Sequence, residues 1–103
     1  MKLVSSVNGV PIRLTPERFG HIAERHPEMA REEQRMLETL SMPDLVQQGD
    51  GGALIAIKHY ATTPLTSKYC VVVYREVSSL DGFILTAYFA TQPSVVRRTI
   101  WTP

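Results

Sequence analysis

Hydrophobic and polar positions change period twice along this chain. Lys2 to Val7 and Val10 to Leu14 flank Asn8-Gly9, a pair that favours a two-residue type I′ turn, so the first segment predicts a small hairpin. Helix signals follow at once. Thr15 suits an N-cap, Pro16 the first helical position and Glu17 the positive end of the helix dipole. Phe19, Ile22, Ala23 and His26 recur at i, i+3, i+4 and i+7, the spacing of a buried helical stripe. Pro27 disfavours helix at His26 and ends it there. Pro27 also suits the opening of a second helix, with Glu28 in its first turn. Met29, Glu33, Met36, Leu37 and Leu40 continue with a period near 3.6, and Pro43 closes that helix.

From residue 44 the pattern turns to strands. Asp44 to Gln48 reads as a short strand, Gly49 to Gly52 as a turn, and Ala53 to Tyr60 as a second strand. A loop over Thr63 to Ser67 leads to Tyr69 to Val77, dense in Val and Tyr. A turn over Ser79 to Gly82 then leads to Phe83 to Ala90. Short connections predict an antiparallel meander. The expected architecture is a single α+β domain over residues 1–103. It has an N-terminal hairpin and two helices packed on a three- to four-stranded antiparallel sheet, with a short tail from about residue 92; the pattern over Thr91 to Pro103 fits a short strand or a helical turn as well as a tail.

Length and composition agree with one globular core. The chain has 103 residues, 44% hydrophobic and 20% charged, which is neither disordered nor supercharged. Apolar runs such as Cys70 to Tyr74 fall far short of the ~20 residues a membrane-spanning helix needs. The N-terminal MKLVSSVNG lacks the apolar stretch of a signal peptide, so the expected location is cytoplasmic, away from membranes. One cysteine, Cys70, rules out an internal disulfide framework and CxxC sites. A net charge of +1 is no bulk nucleic-acid signature, but the halves differ. Residues 1–50 carry six basic and eight acidic side chains, and residues 51–103 carry five and two.

Two clusters carry candidate chemistry. In the first, residues 19–28, His21 and Arg25 stand at i, i+4 on one helix face, with His26 at the helix end. Imidazole accepts and returns a proton near neutral pH, and a guanidinium holds phosphate oxygens with two donors. The same residues also fit a solvated flank, with His26 as a capping or core histidine. In the second, residues 82–91, period-2 alternation puts Ile84, Thr86 and Tyr88 on one strand face. Phe83, Leu85, Ala87 and Phe89 fall on the other. Thr86 and Tyr88 together suit orienting a phosphate, donating a proton or stacking on a base, though both are also ordinary strand formers. Lys58, Tyr74 and Arg75 stand on neighbouring strands as candidates to contact substrate, in an unknown register. Metal sites look poor, because His21, His26 and His59 form no short ligand set. No GxSxG, P-loop or GxGxxG motif occurs.

The T-x-E-R-x-x-H-I-x-x-R-H-P-E stretch from Thr15 to Glu28, the Pro43-Asp44 strand start and the late G-F-I-x-T-A-Y strand form a pattern. It resembles the barnase–EndoU–colicin D–RelE-like ribonuclease superfamily, and within it the small phage- and bacteria-borne nuclease-like domains. The resemblance spans residues 12–91. It implies helices on a four-stranded sheet and metal-independent RNA cleavage, without cofactor. The 2′-OH attacks the adjacent phosphate and leaves a 2′,3′-cyclic phosphate and a 5′-hydroxyl. Carried onto this chain, His21 would be general base or acid, with His26 adjacent, and Arg25 the phosphate clamp. Thr86 would position the phosphate and Tyr88 would assist proton transfer or stacking. Lys58 is a lesser candidate for charge stabilisation. The implied partners are RNA, tRNA included, and an inhibitor or antitoxin protein that restrains a toxin-like effector.

Two other readings fit the same residues. One is a catalytically silent module that binds a protein through a sheet edge or the Trp101 tail. The other is an RNA-binding domain that stacks bases on Tyr60, Tyr74 and Tyr88. Convergence of His21, Arg25, Thr86 and Tyr88 in one cleft separates the ribonuclease reading from both.

Overall fold

The computed structural model describes residues 1–66 and 68–103. Among the described residues, seven strands and two α-helices follow one another. They are β1 (Lys2–Ser5), β2 (Pro11–Leu14), α1 (Pro16–Arg25), α2 (Glu33–Ser41), β3 (Leu45–Gln48), β4 (Leu54–His59), β5 (Tyr69–Ser78), β6 (Asp81–Ala90) and β7 (Thr99–Trp101). Of the loop expected over Thr63 to Ser67, Ser67 lies outside the described residues. Among the described residues, no helix is long and apolar enough to cross a membrane.

The α+β class holds, but the expected sheet of three or four antiparallel strands does not. All seven strands join one mixed sheet in the order β1-β2-β6-β5-β4-β3-β7, and β2 runs parallel to β6. The meander β3 to β6 is the part that short connections dictate. The hairpin and the tail add to its two ends by pairings between residues far apart in sequence, which local pattern does not encode. Ile12 faces Gly82 and Arg13 faces Phe83 in the parallel pair. A fork from Arg13 Nε and Nη2 to Asp81 Oδ1 and Oδ2, at 2.9 and 3.0 Å, fastens it. Gly82 makes the approach feasible: a Cβ there would meet Ile12 Cδ1 at 2.5 Å and the Arg75 carbonyl oxygen at 2.6 Å.

The tail becomes β7, antiparallel to β3 with Val46 opposite Trp101. Arg97 reaches both carboxylate oxygens of Asp50 at 3.1 and 3.2 Å, and Gln47 Nε2 donates to the Ser94 carbonyl at 2.9 Å.

Two local expectations change. The first turn is not type I′, because Asn8 does not have the positive φ that such a turn needs. The Gly9 amide donates to the Ser6 carbonyl at 2.9 Å and Gly9 alone has φ +77°, a type I turn closed by a glycine bulge. Glu76 anchors it, accepting from Ser6 Oγ at 2.5 Å and from Asn8 Nδ2 at 2.9 Å. The second helix does not start at Pro27. Residues Pro27–Met29 form one 3-10 turn that buries Met29, and α2 begins only at Glu33.

The first helix follows its sequence signals. Thr15 Oγ1 accepts from the Arg18 amide at 3.1 Å, Pro16 sits in the first turn, and the His26 amide closes the C-terminal end on Ile22. Both helices cover one sheet face. Ile22, Met29, Met36 and Leu40 pack there on Ile12, Leu14, Val72, Tyr74, Ile84 and Phe89. The other face carries a smaller cluster of Ile55, Ile57 and Val71 with Tyr88 and Ala90 against it.

A bulge in β6 decides which side chain meets which face. Val73 is opposite Thr86 but Tyr74 is opposite Ile84, so Leu85 has no partner on β5. Strict alternation would put Ile84 with Thr86 and Tyr88. The extra residue instead sends Ile84 into the helix-side core with Ala87 and Phe89, and leaves Thr86 and Tyr88 facing away from it.

Candidate functional site

β2 pairs with β6 only at Gly82 and Phe83, so the rest of that β6 edge is left to α1. An open cleft of about 420 Å³ lies between them, lined by Arg18, His21, Ile22, Arg25, His26, Leu85 and Thr86. Arg18, His21, Ile22 and Arg25 are spaced i, i+3, i+4 and i+7, which places them on one face of α1. Ile22 is the buried anchor of that face, and its polar neighbours project beside it. The β6 bulge supplies the opposite wall: Arg18 Nη1 donates to the Leu85 carbonyl at 3.4 Å, and Thr86 follows directly.

The cleft is positive. No carboxylate lines it. Among the described residues, neither Arg25 nor His21 has a side-chain hydrogen bond or an ion pair, and Arg18 has only its bond to the Leu85 carbonyl. Other arginines are engaged, Arg13 with Asp81, Arg35 with Glu32 and Arg97 with Asp50. His26 closes the far end. Its Nδ1 is 3.8 Å from Glu28 Oε2, an ion pair when the imidazole is protonated. Its ring leans on Tyr88, with centroids 5.6 Å apart and planes at 33°. Tyr88 therefore stands behind His26, on the wall between the cleft and a small recess under the tail that Arg97, Gln47 and Ser94 help to line.

Of the residues expected to act on a substrate, the fold brings His21, Arg25, His26 and Thr86 to this cleft, and Tyr88 to its edge. It carries three others elsewhere. Lys58 Nζ donates to the Met42 carbonyl at 2.9 Å, at the end of α2. Arg75 Nη1 donates to the Gly51 carbonyl at 2.6 Å and ties the turn before β4 to β5. Tyr74 is fully buried in the helix-side core, its hydroxyl without a partner among the described residues, and burial pushes its ionisation up. The three tyrosines do not form one stacking surface. Tyr60 donates to Glu38 and lies under the Arg35 guanidinium on the helix side, whereas Tyr88 faces the other way.

Cys70 is wholly buried, and desolvation pushes its thiol up to about 11, which makes it a packed side chain and no nucleophile. Asp44 of the Pro-Asp pair is structural: Oδ2 accepts from the His59 amide at 2.7 Å and closes the β3–β4 pair. Among the described residues, no three His, Cys, Asp or Glu side chains gather as a metal site. Arg18 and the Leu85 carbonyl are the polar cleft members that the expected site lacked. Arg18 was legible, being three residues before His21 and seven before Arg25 on the same stripe. Leu85 was not, because its position depends on the bulge.

What the arrangement can do follows from its atoms. Two imidazoles offer a proton acceptor and a proton donor, two guanidiniums offer donors to phosphate oxygens, and a threonine hydroxyl offers a further donor. No family model matches the chain, and no curated protein or solved structure matches it either.

Proposed function

We propose that this chain is a metal-independent endoribonuclease that cleaves RNA by attack of a 2′-OH on the adjacent phosphodiester. The observation that carries the reading is a single cleft in which two histidines, two arginines without acidic partners and a threonine converge, with no carboxylate in the lining. His21 takes the 2′-OH proton, O2′ bonds to phosphorus, and the bond from phosphorus to O5′ breaks. His26, paired with Glu28 in its protonated form, returns a proton to the leaving 5′-oxygen. Arg25 and the Thr86 hydroxyl donate to the non-bridging oxygens, whose charge grows in the transition state. The products are a 2′,3′-cyclic phosphate and a 5′-hydroxyl. Tyr88 holds the His26 ring in place from behind. RNA is the partner this chemistry names, and a toxin-like role restrained by an inhibitor protein belongs to the same proposal.

The test is cleavage of tRNA and of a mixed-sequence RNA in EDTA, with wild type and His21→Ala compared and the product ends mapped. Cyclic phosphate ends are expected, with a loss of about 10²–10⁴-fold in rate for His21→Ala. Absence of cleavage by folded protein, or cleavage indifferent to His21→Ala, overturns the reading.

A further inference from the structure

We propose that Arg18 binds the phosphate next to the one that is cleaved, so that the cleft accepts an internal stretch of a strand with at least two successive phosphodiesters. The identity of the reacting phosphate rests on the ribonuclease reading above; the phosphate site itself does not.

Charge is the first argument. Arg18 and Arg25 both line the cleft, and no carboxylate lines it with them. One phosphodiester carries a single negative charge and balances one guanidinium, which leaves the other uncompensated. Two successive phosphates balance both. A cleft of about 420 Å³ also has room for more than one phosphate group.

Geometry is the second. Arg18 precedes His21 by one helical turn and Arg25 follows it by one, so the two guanidiniums bracket the imidazole. At 1.5 Å per residue their backbones are about 10 Å apart along the axis, so each guanidinium can hold a phosphate of its own. They are spread as a strand of phosphates would need.

Orientation is the third. One Arg18 N–H bonds to the Leu85 carbonyl at the β6 bulge. A guanidinium has five N–H donors, so this long bond of 3.4 Å draws the group toward the bulge and leaves the rest of the fork for a ligand. The unpaired bulge residue thus aims a cation into the cleft.

The test measures binding of non-cleavable 2′-O-methyl oligonucleotides, a dinucleotide with one phosphate and a trinucleotide with two. Wild type, Arg18→Ala and Arg18→Lys are compared, and each fold is verified by its melting curve. Wild type should bind the trinucleotide about tenfold more tightly at low salt, the range of a charge-assisted hydrogen bond. Arg18→Ala should erase that advantage and lower the slope of log affinity against log salt by about 0.7, one phosphate contact on a single strand. Arg18→Lys should restore most of the salt slope. An equal weakening of both oligonucleotides would make Arg18 only a staple between α1 and the bulge, and an unchanged trinucleotide advantage would remove it from the site. Both results overturn the proposal. Parallel cleavage of the ribose forms separates the two readings. An Arg18-dependent advantage without cleavage keeps the phosphate site and overturns the ribonuclease. Cleavage without that advantage does the reverse.

Discussion

The His26 ring rests against the Tyr88 ring, centroids 5.6 Å apart, and this contact joins the end of α1 to the sheet face that the helices do not cover. It fixes an imidazole at the far end of the cleft by packing, while the backbone of the same residue caps the helix on Ile22. Tyr88→Phe should keep the contact and the melting temperature, whereas Tyr88→Ala should cost about 1 kcal/mol for the ring pair alone. In an RNA cleavage assay, retention of rate by the Phe variant assigns Tyr88 to positioning. A large loss there with unchanged stability would assign the phenol to proton transfer.

Gly82 sets the distance between the hairpin and the meander. Gly82→Ala places a methyl group against the Arg75 carbonyl and the end of Ile12, and a backbone atom cannot step aside as a side chain does. The expected loss is about 1–3 kcal/mol in a denaturant titration. Amide exchange of β1 and β2 should rise more than that of β4 and β5.

The tail is held by an exposed pair. Arg97 beside Asp50 holds that carboxyl below the usual carboxylate range, chiefly by hydrogen bonding. A depressed native value adds stability above the ordinary carboxylate value near 3.9, and that contribution is lost as pH falls through the native one. Asp50→Asn should barely move the melting temperature, because exposed pairs contribute little. It should speed tryptic cleavage after Arg97 and Arg98, and the wild type should show the same at low pH with an acid-active protease in place of trypsin.

Alkaline pH acts on the opposite face of the sheet. Burial holds the Cys70 thiol at about 11 and pushes the phenols of Tyr60 and Tyr74 up as well. The unfolded chain ionises these groups first, so it binds fewer protons than the native one and stability falls as pH rises. For Cys70 the fall spans its ordinary value near 8.5 up to about 11. Denaturant midpoints measured across that range should decline, and Cys70→Ala should flatten the first part. At neutral pH a thiol reagent should label Cys70 only as fast as the protein opens.

Much of the cleft was legible because one helix makes half of it. Thr15, Pro16 and Pro27 bound α1, and a period of 3.6 puts His21 and Arg25 on one face, decisions made among residues within one or two turns. The strand half was legible only in part. Alternation rightly pairs Thr86 with Tyr88, but it misplaces Ile84, because a single unpaired residue at Leu85 inverts the faces on one side of it. Lys58, Tyr74 and Arg75 failed to reach the cleft for the same kind of reason. Their direction depends on strand order and register, and those place them on a helix end, in the core and on a turn.

By itself the amino-acid sequence determined what local backbone chemistry controls: the capped first helix, the breaks at Pro27 and Pro43, the meander with its short turns, and the cationic stripe. Tertiary structure alone decided the seven-stranded sheet, the parallel pairing of β2 with β6, the docking of the tail on β3 and the bulge that faces Arg18. The physical reason is range. Caps, turns and periods are settled among neighbours in sequence, whereas an edge pairing is settled by which distant strand offers unpaired amides, a fitting surface and room for approach. In this chain, Gly82 supplies the room and the Arg13–Asp81 fork holds the pair once it has formed.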